Sequence, residues 1–215
     1  MEFKNIIANR YSSRSFSDKQ VSLDVLKQII SDAQTTASWV NSQPWKVYIA
    51  TGEKLTAIKK KHLELIAAGR SSSPVFPVLG RNRWHQDQQE NMAAWSQKKE
   101  DFQKLPDKVF RQLNETLFSA PAIIYFAIPK NSPDWSKFDI GAFVQTATLS
   151  AINQGLNTMI AYEFVKFPDV LAEDLAVDED YQIVIGIAVG YEDDHIANDF
   201  RTSRRPLDDI LTIFE

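Results

Sequence analysis

Two arginines four residues apart, Arg10 and Arg14, bracket Tyr11, Ser12 and Ser13 near the start of the chain. A guanidinium presents a planar fork of donors that matches a phosphate, and hydroxyls set between two forks add further donors. A solvated pair of surface arginines has the same sequence. Near the other end, Phe200-Arg201-Thr202-Ser203-Arg204-Arg205-Pro206 gathers three more arginines. They either complete an anion site begun by Arg10 and Arg14 or form a solvated basic tail. Between these clusters lies Ser38-Trp39-Val40-Asn41-Ser42-Gln43-Pro44-Trp45. The amides of Asn41 and Gln43 each carry a donor and an acceptor, which suits a heterocycle such as an isoalloxazine or a base, and the tryptophans could stack on it. The alternative is a polar loop bonded to its own backbone.

Other chemistries find little support. The chain has no cysteine, which removes thiolate metal sites, disulfides and a cysteine nucleophile. His62, His85 and His195 lie far apart without metal-ligand spacing, so no metal site is expected. Glu173-Asp174 and Asp178-Glu179-Asp180 read as solvated turns. Only seven glycines are present and no glycine-rich phosphate loop is formed, so any nicotinamide nucleotide binds without a dinucleotide fold. The net charge of −4 argues against a nucleic-acid partner. No signal peptide and no apolar run of about 18 residues occurs, so the expectation is a cytoplasmic protein without a membrane partner.

The 215 residues, 44% apolar and 24% charged, suffice for one sizeable core. Periodicity predicts helices over 2–9, from Ser17 or Ser22 to Ala33, over 53–68, 89–104, after Pro106, over 138–154 and over 168–175. Strands are expected at 45–50, 121–128, 157–162 and 181–189. Residues 70–88, rich in Ser, Pro and Arg, read as a long surface loop. Two helices precede the first strand, which breaks βαβ alternation and favours an α+β fold: a mostly antiparallel sheet of four to five strands flanked by helices. The apolar end Ile210-Leu211-Thr212-Ile213-Phe214 is expected to add a strand or clasp a partner subunit.

In this order the motifs resemble the nitroreductase family over roughly residues 2–212. The resemblance rests on Arg10 to Phe16, on Asn41-Ser42-Gln43-Pro44-Trp45 before the first strand, and on Asp139-Ile140-Gly141 opening the central helix. Gly155-Leu156 ending that helix, the strand Ile185 to Tyr191 and the tail Arg204-Arg205-Pro206-Leu207 complete it. It implies a single FMN-binding domain over 1–215 with a variable region at about 70–105, a homodimer with FMN at the interface, and a C-terminal arm reaching the partner. It further implies an oxidoreductase using NAD(P)H to reduce a small acceptor, such as a nitroaromatic, quinone or flavin, by ping-pong hydride transfer. No catalytic side chain is implied. FMN contacts carried over by position are Arg10, Tyr11, Ser12 and Arg14; Ser38, Trp39 and Asn41 from the partner; Ile160, Tyr162 and Glu163; and Arg201 and Arg204. Arg14 would lie near the pyrimidine edge, where its charge stabilises the anionic reduced flavin. Two positions depart from the family pattern. Ile160-Ala161-Tyr162-Glu163 stands where many members have Pro followed by Glu-Gly, and Thr202 replaces a common Lys. Asn114 is the nearest candidate for a mid-chain Asn contact. A flavin-binding or storage protein without turnover is the competing reading, and a nucleotide-independent interaction module is a third.

Overall fold

The computed structural model describes residues 1–102 and 106–215. Its four strands, β1 (Lys46–Thr51), β2 (Ala122–Pro129), β3 (Asn157–Ile160) and β4 (Tyr181–Gly190), form one antiparallel sheet in the order β1-β2-β4-β3. Seven α-helices lie around it among the described residues: α1 (Phe3–Asn9), α2 (Leu23–Ala33), α3 (Gly52–Ala67), α4 (Gln86–Asp101), α5 (Asp107–Glu115), α6 (Asp134–Asn153) and α7 (Pro168–Asp174). The α+β expectation therefore holds.

Strand alternation sends successive side chains to opposite faces, and β2 uses both. Ala122, Ile124, Phe126 and Ile128 pack with Leu26, Ile29 and Ala33 of α2 and Phe143, Val144 and Ala147 of α6. Ile123, Tyr125 and Ala127 pack instead with Leu55 and Ile58 of α3, Leu171 of α7 and Phe164. A strand buried on both faces reads as the continuous apolar run seen at 122–128.

Local chemistry sets the element ends. The Ser22 hydroxyl caps α2 by accepting from the Val25 N–H at 3.3 Å, which selects Ser22 over Ser17 as its start. α6 ends as expected at Gly155, whose φ of +78° allows its N–H to reach the Ile152 carbonyl and that of Leu156 to reach Ala151. Three expectations need correction. α6 begins at Asp134, so Asp139-Ile140-Gly141 lies in its second turn and does not open it. α4 begins at Gln86, which shortens the expected loop, and the expected end of that helix at 104 lies outside the described residues. β3 stops at Ile160, not Tyr162, because the chain bends into a 3₁₀ turn, Tyr162–Val165, that drops Phe164 beneath Gly186. A Cβ on Gly186 would come within 2.7 Å of the Phe164 Cβ, so only glycine accepts this approach. The tail adds no strand to this chain's own sheet, and Ile210, Leu211, Ile213 and Phe214 are exposed.

Candidate functional site

After α1 the chain runs along the open edge of β3. Ser12 pairs with Thr158 in a parallel bridge, and the Ser13 N–H donates to the Thr158 carbonyl at 3.0 Å. Phe16 then bridges Glu192, just past β4. Asn198 locks this path. Its side-chain oxygen accepts from the backbone N–H groups of Arg14 (2.7 Å) and Ser15 (3.1 Å), while its amide donates to the carbonyls of Ser15 (2.9 Å) and Asp193 (3.0 Å). One buried amide thus fixes the N-terminal segment against the segment that leads to the tail.

This clasp brings Arg10, Arg14, Arg201 and Arg204 around a cavity of about 210 Å³, lined also by Ser12, Phe200 and Thr202. The buried Arg14 guanidinium donates to the carbonyls of Ser12 and Phe200, both at 3.0 Å, and lies 4.8 Å from the Phe200 ring centre. Arg201 donates to the Asn198 carbonyl and covers the Tyr11 ring at 3.4 Å. Two nearby acids are committed elsewhere. Glu192 accepts from the hydroxyls of Tyr11 (2.5 Å) and Ser13 (3.2 Å), and Asp193 accepts from Ser15 (2.7 Å). Among the described residues none of the four guanidinium groups has a carboxylate partner. The cations feel one another: burial and then Arg201 push Arg14 down to about 10, and burial and then Arg204 push Arg10 down. Such a cluster is electrostatically incomplete, and a dianionic phosphate is the group its donors fit.

The remaining expected contacts are distributed elsewhere. Ser38, Trp39 and Asn41 do not line the arginine cavity; they sit beside the start of α6, where Asp139 accepts from the Trp39 N–H at 3.0 Å. Trp39 stacks on Trp135 at 5.1 Å. Val40, Asn41 and Gln43 all hold positive φ (50°, 56° and 45°), a conformation costly for any of them and most so for the β-branched Val40. Ile160 and Tyr162 are exposed past the Thr158 bridge. Glu163 lines a second cleft of about 460 Å³ with Lys99, Phe110, Arg111, Asn114, Glu115 and Lys166. The Phe110 ring contacts Phe200 edge-on at 6.1 Å, so the two clefts meet across this aromatic pair. Among the described residues no His, Asp or Glu cluster could hold a metal ion.

With this geometry in place, the comparison with known families is decisive: the nitroreductase family model matches residues 7–191. The chain belongs to the nitroreductase family. It is 29% identical over 199 residues to the 4-nitrobenzoate reductase of Pseudomonas putida, covering 90% of this chain and 87% of that one. A 4-nitrobenzoate reductase of Nocardioides sp. (strain LMS-CY) is 28% identical and covers 98% and 89% respectively. The fold matches that of the FMN-dependent nitroreductase NfnB from Mycobacterium smegmatis in complex with NADPH, with a TM-score of 0.90 at 20% identity over 99% of this chain and 97% of that one.

Within this nitroreductase-family chain, two residues escape the sequence reading, and a third, His62, enters it only as a metal ligand that is set aside. Asn198 organises the arginine cavity, Arg111 faces the second cleft, and His62 grips Glu163 from α3. Arg111 shares the α5 face with Asn114, and that proximity appears only once α5 is docked. For Asn198 and His62 a single sequence holds no signal, because one polar residue has no period. No described helix is long and apolar enough to cross a membrane.

Proposed function

We propose that this chain is an FMN-dependent oxidoreductase, a single domain over 1–215 that works as a homodimer and uses NAD(P)H to reduce a small acceptor. The observation that carries it is the set of four guanidinium groups without carboxylate partners converging on one cavity. Unpaired positive charge at this density repels itself, and a phosphate monoester is the complement its forks are shaped for. Arg10, Ser12, Arg201 and Arg204 hold the phosphate end. Arg14 points its positive charge inward, where it stabilises negative charge on a reduced ring. Ile160, Tyr162 and Glu163 flank the ring through the turn that follows β3, and Asn114 and Arg111 face it from α5. Ser38, Trp39 and Asn41 reach the flavin of the partner subunit, and the exposed tail serves as the arm that crosses to it. When bound, FMN supplies a two-electron relay from NAD(P)H to a nitroaromatic, quinone or flavin in ping-pong order. The protein's share is binding, orientation and water exclusion. Relatives bearing the names of nitrobenzoate reductases support a nitroaromatic among the acceptors.

The test is anaerobic mixing of FMN-loaded protein with NADH and with NADPH. Bleaching of the flavin band that returns on adding a nitroaromatic is the expected result. A yellow protein that neither nucleotide bleaches is a flavin binder without turnover, and the oxidoreductase reading fails.

A further inference from the structure

Resting on the flavin reading above, we propose that Glu163, gripped by His62 and Lys166, is a positioning residue that holds the 160–163 turn in place beside the ring. The side chains of this turn sort by environment. Ile160 and Tyr162 face outward, while Phe164 and Val165 are buried in the core. Glu163 does neither. Its carboxylate is only 13% exposed and turns toward α3, where one oxygen accepts from Nε2 of His62 at 3.1 Å and from Nζ of Lys166 at 2.8 Å. His62 is itself buried, with its ring 5.5 Å from that of Phe167. One carboxylate oxygen therefore ties a helix, the turn and the residue that follows the turn.

A buried carboxylate is an expensive way to gain stability, since desolvation offsets most of the attraction between ion partners. Its stronger use is geometric, because a group with directional partners has one place to sit. The turn needs such a support. It is closed by a long Phe164 N–H to Ala161 carbonyl bond of 3.3 Å, and Ala161 ahead of it is extended and outside the sheet. Burial raises the Glu163 carboxyl, but the bonds from His62 and Lys166 outweigh it and hold the group below its ordinary range, so it is ionised and fully engaged at neutral pH. The same side chain lines the cleft shared with Phe110, Arg111 and Asn114, which places this anchor directly behind the ring's expected seat.

The experiment compares wild type, His62→Leu, Glu163→Ala and Glu163→Gln as FMN-loaded proteins. Four quantities are read: Tm, FMN affinity, visible circular dichroism of the bound flavin, and single-turnover reduction by NAD(P)H. Because displacing a reacting centre by about 1 Å can cost on the order of 100-fold in rate, His62→Leu and Glu163→Ala should slow reduction by at least about tenfold. Both should also alter the flavin dichroism. Glu163→Gln keeps an acceptor oxygen for His62 and should restore most of the rate. Rate and dichroism unchanged in both His62→Leu and Glu163→Ala overturn the inference while leaving the flavin reading intact. A rate that only follows the loss of Tm, without rescue by Gln, also overturns it. Wild type that takes up no FMN overturns the flavin reading and this inference together.

Discussion

Around the arginine cavity the Glu192 and Asp193 carboxylates accept from hydroxyls and a buried amide pins the backbone, whereas at the start of α6 three aromatic rings contact one another in open water. The first region is complete in its protein contacts and lacks only a counter-charge. The second has the reverse deficit: Trp39, Trp135 and Phe138 are 55%, 52% and 68% exposed, joined by ring contacts of 5.1 and 5.8 Å, and nothing among the described residues covers them. Contiguous exposed aromatics of this kind mark an interaction surface. One region is thus closed by contacts within the chain, and the other leaves its apolar surface open.

The arginine cavity depends most heavily on Asn198. Replacing it by Ala leaves the buried N–H groups of Arg14 and Ser15 without acceptors. Unsatisfied buried donors cost about 1–3 kcal/mol each, so Asn198→Ala should lose on the order of 3 kcal/mol and roughly 6–12 °C in Tm by calorimetry. Arg204→Ala should behave in the opposite way. It relieves repulsion on Arg10, so the FMN-free protein keeps or gains stability. Losing charge-assisted bonds worth about 1.5–3 kcal/mol should nevertheless weaken FMN binding roughly 10- to 100-fold in a fluorescence titration. Loss of stability together with unchanged FMN affinity would make Arg204 a structural residue. At the aromatic face, Trp39→Ala should change the stability of the isolated chain by no more than about 0.5 kcal/mol, as an exposed position does. If the proposed homodimer forms through this face, sedimentation should show weaker self-association of Trp39→Ala, and a self-association constant equal to wild type excludes this face from the dimer.

The smallest effect concerns pH. The Glu163 carboxyl is held below its unfolded value of about 4.3, so its contribution is fully present above that pH and is lost as pH falls through the folded value. The Tm difference between wild type and Glu163→Gln should therefore shrink only below about pH 4.3. A difference that persists unchanged in more acid solution contradicts the assignment.

Much of the fold was legible because it is periodic. The continuous run at 122–128 announced a strand buried on both faces, and Gly155 announced the end of α6. Misplaced boundaries share a cause. The start of α6 expected at 138 follows the apolar run, whereas its true first turn, Asp134 to Lys137, is mostly polar and exposed apart from the buried Ser136 and so lies outside that run. Ile160-Ala161-Tyr162 alternates as a strand does, and only the seat of Phe164 under Gly186 bends it away. The arginines were visible as residue types, but their convergence depends on Asn198 and on the Ser12–Thr158 bridge, both products of tertiary closure.

If the four-arginine cavity holds the phosphate of FMN, equilibrium titration should separate FMN from riboflavin. The two ligands share the ring and differ only in the phosphate. Wild type should bind FMN at least about 100-fold more tightly than riboflavin, the equivalent of about 2.7 kcal/mol, and Arg204→Ala should erase much of this gap. Equal affinity for FMN and riboflavin in the wild-type protein would contradict it.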